Sequence, residues 1–279
     1  MSDSIFDPAR YNNVLLEERK GPVLILRMNR PTRMNAINAD LMDALLDATQ
    51  RAATDDSVRA VVLIGEGKGF CAGGDVLEGA SRKRDPNTPK PADPFKARAE
   101  DHYTRTYTSH LLHTMPKPTI ALVRGAAMGA GMSIALACDY RICSETAVFR
   151  SAFVNNALSG DYGIGYFLTK ALGAYKAMEL VMLSEKVDAN KANELGLVTK
   201  LVSDDALEAE GIAFAEKLAI GPTIAYAGIK ANIAAACEGS LDNYLRVEAD
   251  SQTRCGFSED IREAGKAFVE KRPPVFKGK

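Results

Sequence analysis

The chain has 279 residues, 46% apolar and 25% charged, and its 35 Lys plus Arg nearly balance 36 Asp plus Glu. That composition excludes a disordered or fibrous protein, and the charge balance removes any whole-molecule attraction to nucleic acid or to an acidic membrane surface. The length suits one large α/β domain or two small ones. No basic start followed by an apolar run opens the chain, and no stretch approaches the roughly 18 apolar residues of a membrane span, so a cytoplasmic protein is expected. The five cysteines (Cys71, Cys138, Cys143, Cys237, Cys255) have neither CxxC nor His-flanked spacing, which predicts free thiols and no metal site.

In chain order, residues 14–29 read as two short strands around the turn pair Gly21-Pro22. Ile37, Leu41, Leu45 and Ala48 recur at spacings of 4, 4 and 3, which predicts an amphipathic helix over 37–53 with Asn38 and Asp40 near its start. The run Ala60-Val-Val-Leu-Ile64 has no polar alternation, as expected of a central strand buried on both faces. A polar stretch over 81–99, rich in Lys, Arg and Pro and expected to be mobile in its first part, leads into a helix over 101–115. The strand-like Thr119–Val123 then feeds a helix through GAAMGAG. Further strands are predicted at 140–144 and 197–202, with helices at 165–172 and 174–183 between them. Beyond Ser203, alanine-rich helical stretches at 205–219, 223–237, 241–255 and 258–271 replace strands altogether. In the last, Ser258 suits the cap, Glu259 and Asp260 the positive end, Lys266, Lys271 and Arg272 the negative end, and Pro273-Pro274 the stop.

Two glycine-rich segments carry chemistry. Gly65-Glu-Gly-Lys-Gly-Phe-Cys-Ala-Gly-Gly-Asp75 follows a buried strand, and its glycines let a backbone with free N–H groups approach a ligand closely. Its GxGxG spacing is not that of a dinucleotide site, so an anion site and a plain surface loop are the two readings. Gly125-Ala-Ala-Met-Gly-Ala-Gly-Met-Ser133 lies where a strand turns into a helix, so its N–H groups carry the positive end of the helix dipole. An oxyanion turn and close helix packing by small residues both account for it.

With these segments in this order the chain resembles the crotonase (enoyl-CoA hydratase/isomerase) superfamily over nearly its whole length. The matching stretches are Asn29-Arg-Pro-Thr-Arg-Met-Asn-Ala-Ile37, Gly69-Phe-Cys-Ala-Gly-Gly-Asp75, Lys117-Pro-Thr-Ile-Ala-Leu-Val-Arg-Gly125 with the turn after it, Ala137-Cys-Asp-Tyr-Arg-Ile142, and the tail Phe268-Val-Glu-Lys-Arg-Pro-Pro-Val-Phe276. The resemblance implies an α/β fold, a crotonase-like spiral of ββα units over residues 1–203 with a C-terminal helical trimerisation region over 204–279. It also implies a homotrimer or a hexamer built as a dimer of trimers, an acyl-CoA substrate, and no cofactor beyond the coenzyme A that enters with it. Carried over by position, Gly74 and Ala130 supply two N–H groups to the thioester oxygen. Ala72 matches the residue whose carbonyl receives the adenine amino group, Arg33 and Ala36 border the nucleotide, and Phe268 and Lys271 match tail residues that reach the CoA of a neighbouring subunit. Such donors act because proton removal beside a thioester carbonyl pushes negative charge onto its oxygen.

The sequence departs from the usual hydratase where that enzyme carries two glutamates, since Ser133 and Phe153 stand there. Neither is a carboxylate base, which turns attention to Asp161 in Leu158-Ser-Gly-Asp-Tyr-Gly-Ile-Gly165, a segment resembling the loop that bears a catalytic aspartate in some family isomerases. Desolvated among Phe153, Leu158 and Tyr162, such an aspartate becomes a better proton shuttle; the alternative is that it caps the helix beginning near Gly163. Asn155 and Asn156 are candidates to orient a water, Tyr103 and Tyr107 to line an acyl pocket, and His102, His110 and His113 lie on the same helical segment. Double-bond isomerisation or hydration of an enoyl-CoA is therefore the expected activity, with isomerase favoured. An acyl-CoA thioester or C–C hydrolase and a non-catalytic CoA-binding protein are the alternatives.

Overall fold

The computed structural model describes residues 8–81 and 91–279. Its principal sheet has six strands in the order β1 (Leu15–Lys20), β2 (Val23–Met28), β3 (Ala60–Gly65), β4 (Thr119–Val123), β6 (Tyr140–Ser144) and β9 (Lys200–Val202). The first pair is the antiparallel hairpin that Gly21-Pro22 turns; every later pairing is parallel. Successive β3 side chains point to opposite faces, and both faces are buried. Val61 and Leu63 join a core with Leu41, Leu45, Ala48 and Ala52 of α1 (Ala39–Thr54). Ala60, Val62 and Ile64 pack with Leu207, Ala215 and Ala219 of α8 (Leu207–Ala219). This two-sided burial is why the run carries no polar alternation.

A second sheet of three short strands, β5 (Ala126–Met128), β7 (Val148–Arg150) and β8 (Val187–Asp188), was not legible in the sequence. Its first strand lies within GAAMGAG, so β4 feeds the helix through a further short strand and α4 begins at Ala130 (Ala130–Ala137), inside that segment. Strands of two or three residues carry too little pattern to separate from a loop. The strand expected at 197–202 is likewise shorter, and Leu197 instead packs in the core.

Other elements are α2 (Val76–Ser81), α3 (Pro94–Thr114), α5 (Ile164–Leu172), α6 (Ala174–Leu183), α7 (Ala189–Glu194), α9 (Thr223–Glu238), α10 (Leu241–Gly256) and α11 (Glu259–Glu270). The mobility expected in the first part of 81–99 falls partly on residues 82–90, outside the described residues, and from Pro94 onward the stretch is helical. Asp93 accepts the Lys96 N–H at 3.0 Å and Pro94 stands at the first position, where its missing N–H costs nothing, so the helix starts seven residues before 101. At the other end of the chain Ser258 caps α11 by accepting the Ile261 N–H at 3.1 Å, as its sequence indicates.

Two polar residues buried in this frame tie its parts together. Lys117, 3% exposed, donates to the Ala52 and Asp55 carbonyls at 2.7 and 2.9 Å and so satisfies the end of α1. Asn35, fully buried and in the left-handed region (φ 55°), accepts the Arg30 N–H at 2.9 Å and donates to the Glu66 and Gly69 carbonyls at 2.9 and 2.8 Å. It thereby clamps the first glycine-rich segment onto the 30–37 loop. Asn35→Ala leaves both carbonyls without this donor and puts a Cβ-bearing residue with no local hydrogen bond at positive φ. A loss of roughly 2 kcal/mol or more is expected by urea unfolding; an unchanged midpoint and slope would remove the clamp from the account.

Candidate active site

Backbone pairing brings the two glycine-rich segments side by side. Cys71 donates its N–H to the Ala126 carbonyl at 2.8 Å and accepts from the Met128 N–H at 2.9 Å, while on the other side the Ile37 N–H reaches the Gly73 carbonyl at 2.7 Å and the Asp75 N–H reaches the Ile37 carbonyl at 2.9 Å. Alternation along an extended segment turns the Gly74 N–H away from Ile37. Contact is close enough to require glycine: a Cβ on Gly73, at φ 90°, would stand 2.9 Å from the Met128 carbonyl oxygen, and one on Gly131 would stand 2.3 Å from that of Cys71. Ala130 is the first residue of α4, so its N–H has no acceptor within the helix. Among the described residues neither the Gly74 nor the Ala130 N–H donates a hydrogen bond.

Ser133 and Phe153 border this turn without bringing a base. The Ser133 hydroxyl donates back to the Gly129 carbonyl at 3.1 Å inside α4. The Phe153 ring tip lies 3.8 Å from the position a Cβ on Gly129 would take, an apolar wall beside the turn.

The carboxylate comes from the loop between Phe153 and α5. Tyr162 (φ 49°), Gly160 (φ 142°) and Gly163 (φ 83°) are all left-handed, so this loop folds back sharply on itself. Asp161 accepts the Tyr162 N–H at 2.7 Å, and the residue before α5 is Gly163 with no side-chain cap, so the helix-capping alternative is not what the structure shows. The Asp161 side chain retains 21% exposure, and His102 Nε2 from α3 lies 3.1 Å from its Oδ1. Burial raises its pKa above the ordinary carboxylate value, against the opposing influence of His102 and the Tyr162 N–H. Tyr162 is buried, its hydroxyl has no hydrogen-bond partner among the described residues, and burial together with the Asp161 charge pushes the phenol well above its usual range.

Of the other polar candidates, the Asn155 carboxamide oxygen is taken by the Ser184 hydroxyl at 2.8 Å, and Tyr107 stacks on His110 with ring centroids 4.4 Å apart. His113 packs edge-on against Phe167 and lines a cavity with α5 and α9, where burial lowers its pKa. Of the three histidines only His102 meets Asp161. Sequence position placed them together on one helix; which one faces the aspartate depends on how α3 packs.

Of the residues assigned to nucleotide binding, Arg33, buried Ala36 and Ala72 lie on two bonded segments, whereas Phe268 and Lys271 are on the C-terminal α11 and at its end. Arg33 pairs with Asp75 at 2.8 Å, and Arg30 meets the same carboxylate at 3.0 Å. Burial alone would raise the Asp75 pKa, but hydrogen bonds from Arg33, the Glu78 N–H and Arg30 outweigh it and hold the carboxyl at about 2. The Ala36 carbonyl accepts from Arg30. The Ala72 N–H is used by the Met34 carbonyl at 2.9 Å, while its own carbonyl accepts nothing among the described residues. Phe268 is 85% exposed, and Lys271, the left-handed residue that closes α11, is exposed as well.

The structure is a spiral α/β frame in which two amides stay unpaired on abutting turns and a separate loop carries a part-buried carboxylate. The chain belongs to the enoyl-CoA hydratase/isomerase family, whose profile matches residues 18–279, and it is an enzyme of that type with the crotonase fold. A probable enoyl-CoA hydratase of Rhodobacter capsulatus is 34% identical over 269 residues, covering 96% of this chain and 99% of that protein. The 1,2-epoxyphenylacetyl-CoA isomerase of Escherichia coli is 35% identical over 266 residues, covering 95% and 98%. The crystal structure of a putative enoyl-CoA hydratase from Streptomyces coelicolor superposes with a TM-score of 0.88 at 32% identity, covering 100% of this chain and 98% of that one. Among the described residues no group of three or more His, Cys, Asp or Glu is placed to hold a metal, and no single helix is long and apolar enough to cross a membrane.

The raised Asp161 pKa carries a stability consequence. The folded state binds this proton more tightly than the unfolded chain, so the group favours folding at low pH and that contribution is lost as pH rises through its folded pKa. Asp161→Asn, which cannot ionise, is expected to melt roughly 2 °C or more above the wild type near neutral pH. The gap should close as pH falls toward about 4; a variant that melts lower at neutral pH would show that the carboxylate is not held at a cost.

Proposed function

We propose that the protein isomerises the double bond of an enoyl-CoA, with the Gly74 and Ala130 N–H groups holding the thioester oxygen and Asp161 moving the proton. The observation that carries this reading is the pair of unused main-chain donors on abutting turns, and a carboxylate whose burial raises its proton affinity supports it. The carboxylate removes a proton from the carbon next to the thioester carbonyl of a 3-enoyl-CoA, the electron pair passes to the oxygen, and the same group returns the proton two carbons further out to give the 2-enoyl product. Isomerisation is preferred over hydration because one carboxylate suffices for a proton that leaves and returns, whereas Ser133 is bonded back to Gly129 and Phe153 is apolar. The similarity to the 1,2-epoxyphenylacetyl-CoA isomerase of Escherichia coli, 35% identical to this chain, supports this preference.

The Ala72 carbonyl and the Arg33 and Ala36 segment are assigned to the adenine nucleotide of the substrate, and Phe268 and Lys271 to the CoA bound by a neighbouring subunit. Exposed Ile229 and Ile233 on α9, Leu241 on α10 and Phe268 and Val269 on α11 support an assembly through the C-terminal region at 204–279, as a homotrimer or a hexamer made of two trimers, with the spiral at 1–203 carrying the site. A cytoplasmic location fits this substrate class.

Incubation with 3-enoyl- and 2-enoyl-CoA in deuterated water tests the assignment: turnover with deuterium entering the acyl carbons is expected, and Asp161→Asn should abolish both. Activity and exchange retained in that variant would remove Asp161 from the mechanism. Ala130→Pro probes the other half, because proline is tolerated at the first position of a helix yet has no N–H to give. A loss in kcat of roughly 100- to 1000-fold is expected with the circular dichroism spectrum intact; full activity would rule out Ala130 as a donor.

A further inference from the structure

His102 stands in a position that the proposed reaction does not by itself explain. It lines a cavity of about 200 Å³ together with Ile37, Asp75 and Arg105, so it faces the segment whose middle residue is Gly74. Its side chain is 54% exposed, whereas that of Asp161 is 21% exposed. The nearest approach of His102 and the hydrogen bond from Tyr162 fall on one carboxylate atom: His102 Nε2 lies 3.1 Å from Oδ1, and the Tyr162 N–H reaches Oδ1 at 2.7 Å. Among the described residues no hydrogen bond is donated to Oδ2.

Apart from Arg98, the other charged groups around this cavity are paired with neighbouring charges. On the same helix as His102, Arg105 bridges Asp101 at 3.0 Å and Asp43 of α1 at 2.7 Å. Across the cavity Asp75 is held by Arg30 and Arg33, and Glu78 faces Arg30 at 3.4 Å. Arg98 completes the lining, and from the Asp161 loop the one other titratable neighbour is the buried Tyr162. Asp161 is the carboxylate left to His102.

We infer that His102 is a positioning residue for Asp161: it anchors Oδ1 and, when protonated, holds the carboxylate ionised, leaving Oδ2 as the atom that accepts the substrate proton. This rests on the proton-transfer role proposed for Asp161. A histidine suits the task better than an arginine would. A fixed, poorly screened cation at this distance lowers a carboxylate pKa by about 1–3 pH units and would drain its basicity, whereas a half-exposed imidazolium, screened by solvent, only moderates what burial does.

The test follows the Asp161 carboxyl carbon by 13C NMR titration, assigned through Asp161→Asn, in the full-length wild type, His102→Ala and His102→Gln, alongside kcat/KM against pH for an enoyl-CoA. Because His102 is largely exposed, both variants should fold, as circular dichroism will report. His102→Ala is expected to move the Asp161 midpoint up by about one pH unit or more. His102→Gln, which keeps a donor without the charge, should fall between. The acidic limb of kcat/KM should move upward with the midpoint, since the base works only when deprotonated, while KM changes little. A midpoint in His102→Ala that stays at the wild-type value or falls overturns the inference and leaves the Asp161 role standing. A midpoint that rises while the rate limb stays in place overturns the Asp161 role, and the positioning role with it.

Discussion

The double backbone pairing of residues 71–75, to Ile37 on one side and to Ala126 and Met128 on the other, is the constraint on which the rest of the site depends. It spends the N–H and carbonyl groups of alternate residues on neighbouring segments and turns the Gly74 N–H away from Ile37. Gly74 is exposed and Ala130 is buried, so the cost of a free N–H falls on Ala130. Here the surrounding pairings and the buried Asn35 clamp hold the geometry, and the glycines at 73 and 131 admit a separation that any Cβ would prevent. Under the proposed function, such donors are set before substrate arrives, which is the condition under which they act on a developing charge.

Two aspartates on either side of this pairing show how environment divides their work. Asp75 and Asp161 are both largely withdrawn from solvent, yet Asp75 is met by two guanidinium groups and is held at about 2, whereas burial dominates at Asp161 and raises it. The first is a structural anion that joins the 30–33 loop to the start of α2. The second retains a proton affinity that a base can use. The same side chain is thus a fixed anion or a group of raised proton affinity according to whether its charge is matched.

Much of the frame was legible because it obeys simple periodicities. The β3 run without polar alternation, the spacing of Leu41, Leu45 and Ala48, and the Ser258 cap each state their environment in a few adjacent residues. The start of α3 was misplaced because its polar face hides the helical period, although Asp93-Pro94 is itself a start signal. The short strands β5, β7 and β8 escaped notice because they are held by partners far away in the chain rather than by their own pattern.

Local order along the chain therefore settled the α/β class, the glycine turns, the loss of both glutamate positions to Ser133 and Phe153, and Asp161 as the acid left to consider. Those features are properties of neighbouring residues and survive reading in one dimension. The tertiary structure alone decided that the amides of Gly74 and Ala130 stay unpaired, that Asp161 does not cap α5, and that His102, rather than His110 or His113, reaches it. Each of these depends on the meeting of segments tens of residues apart, and both solvation and hydrogen-bond accounting are fixed only when such segments pack.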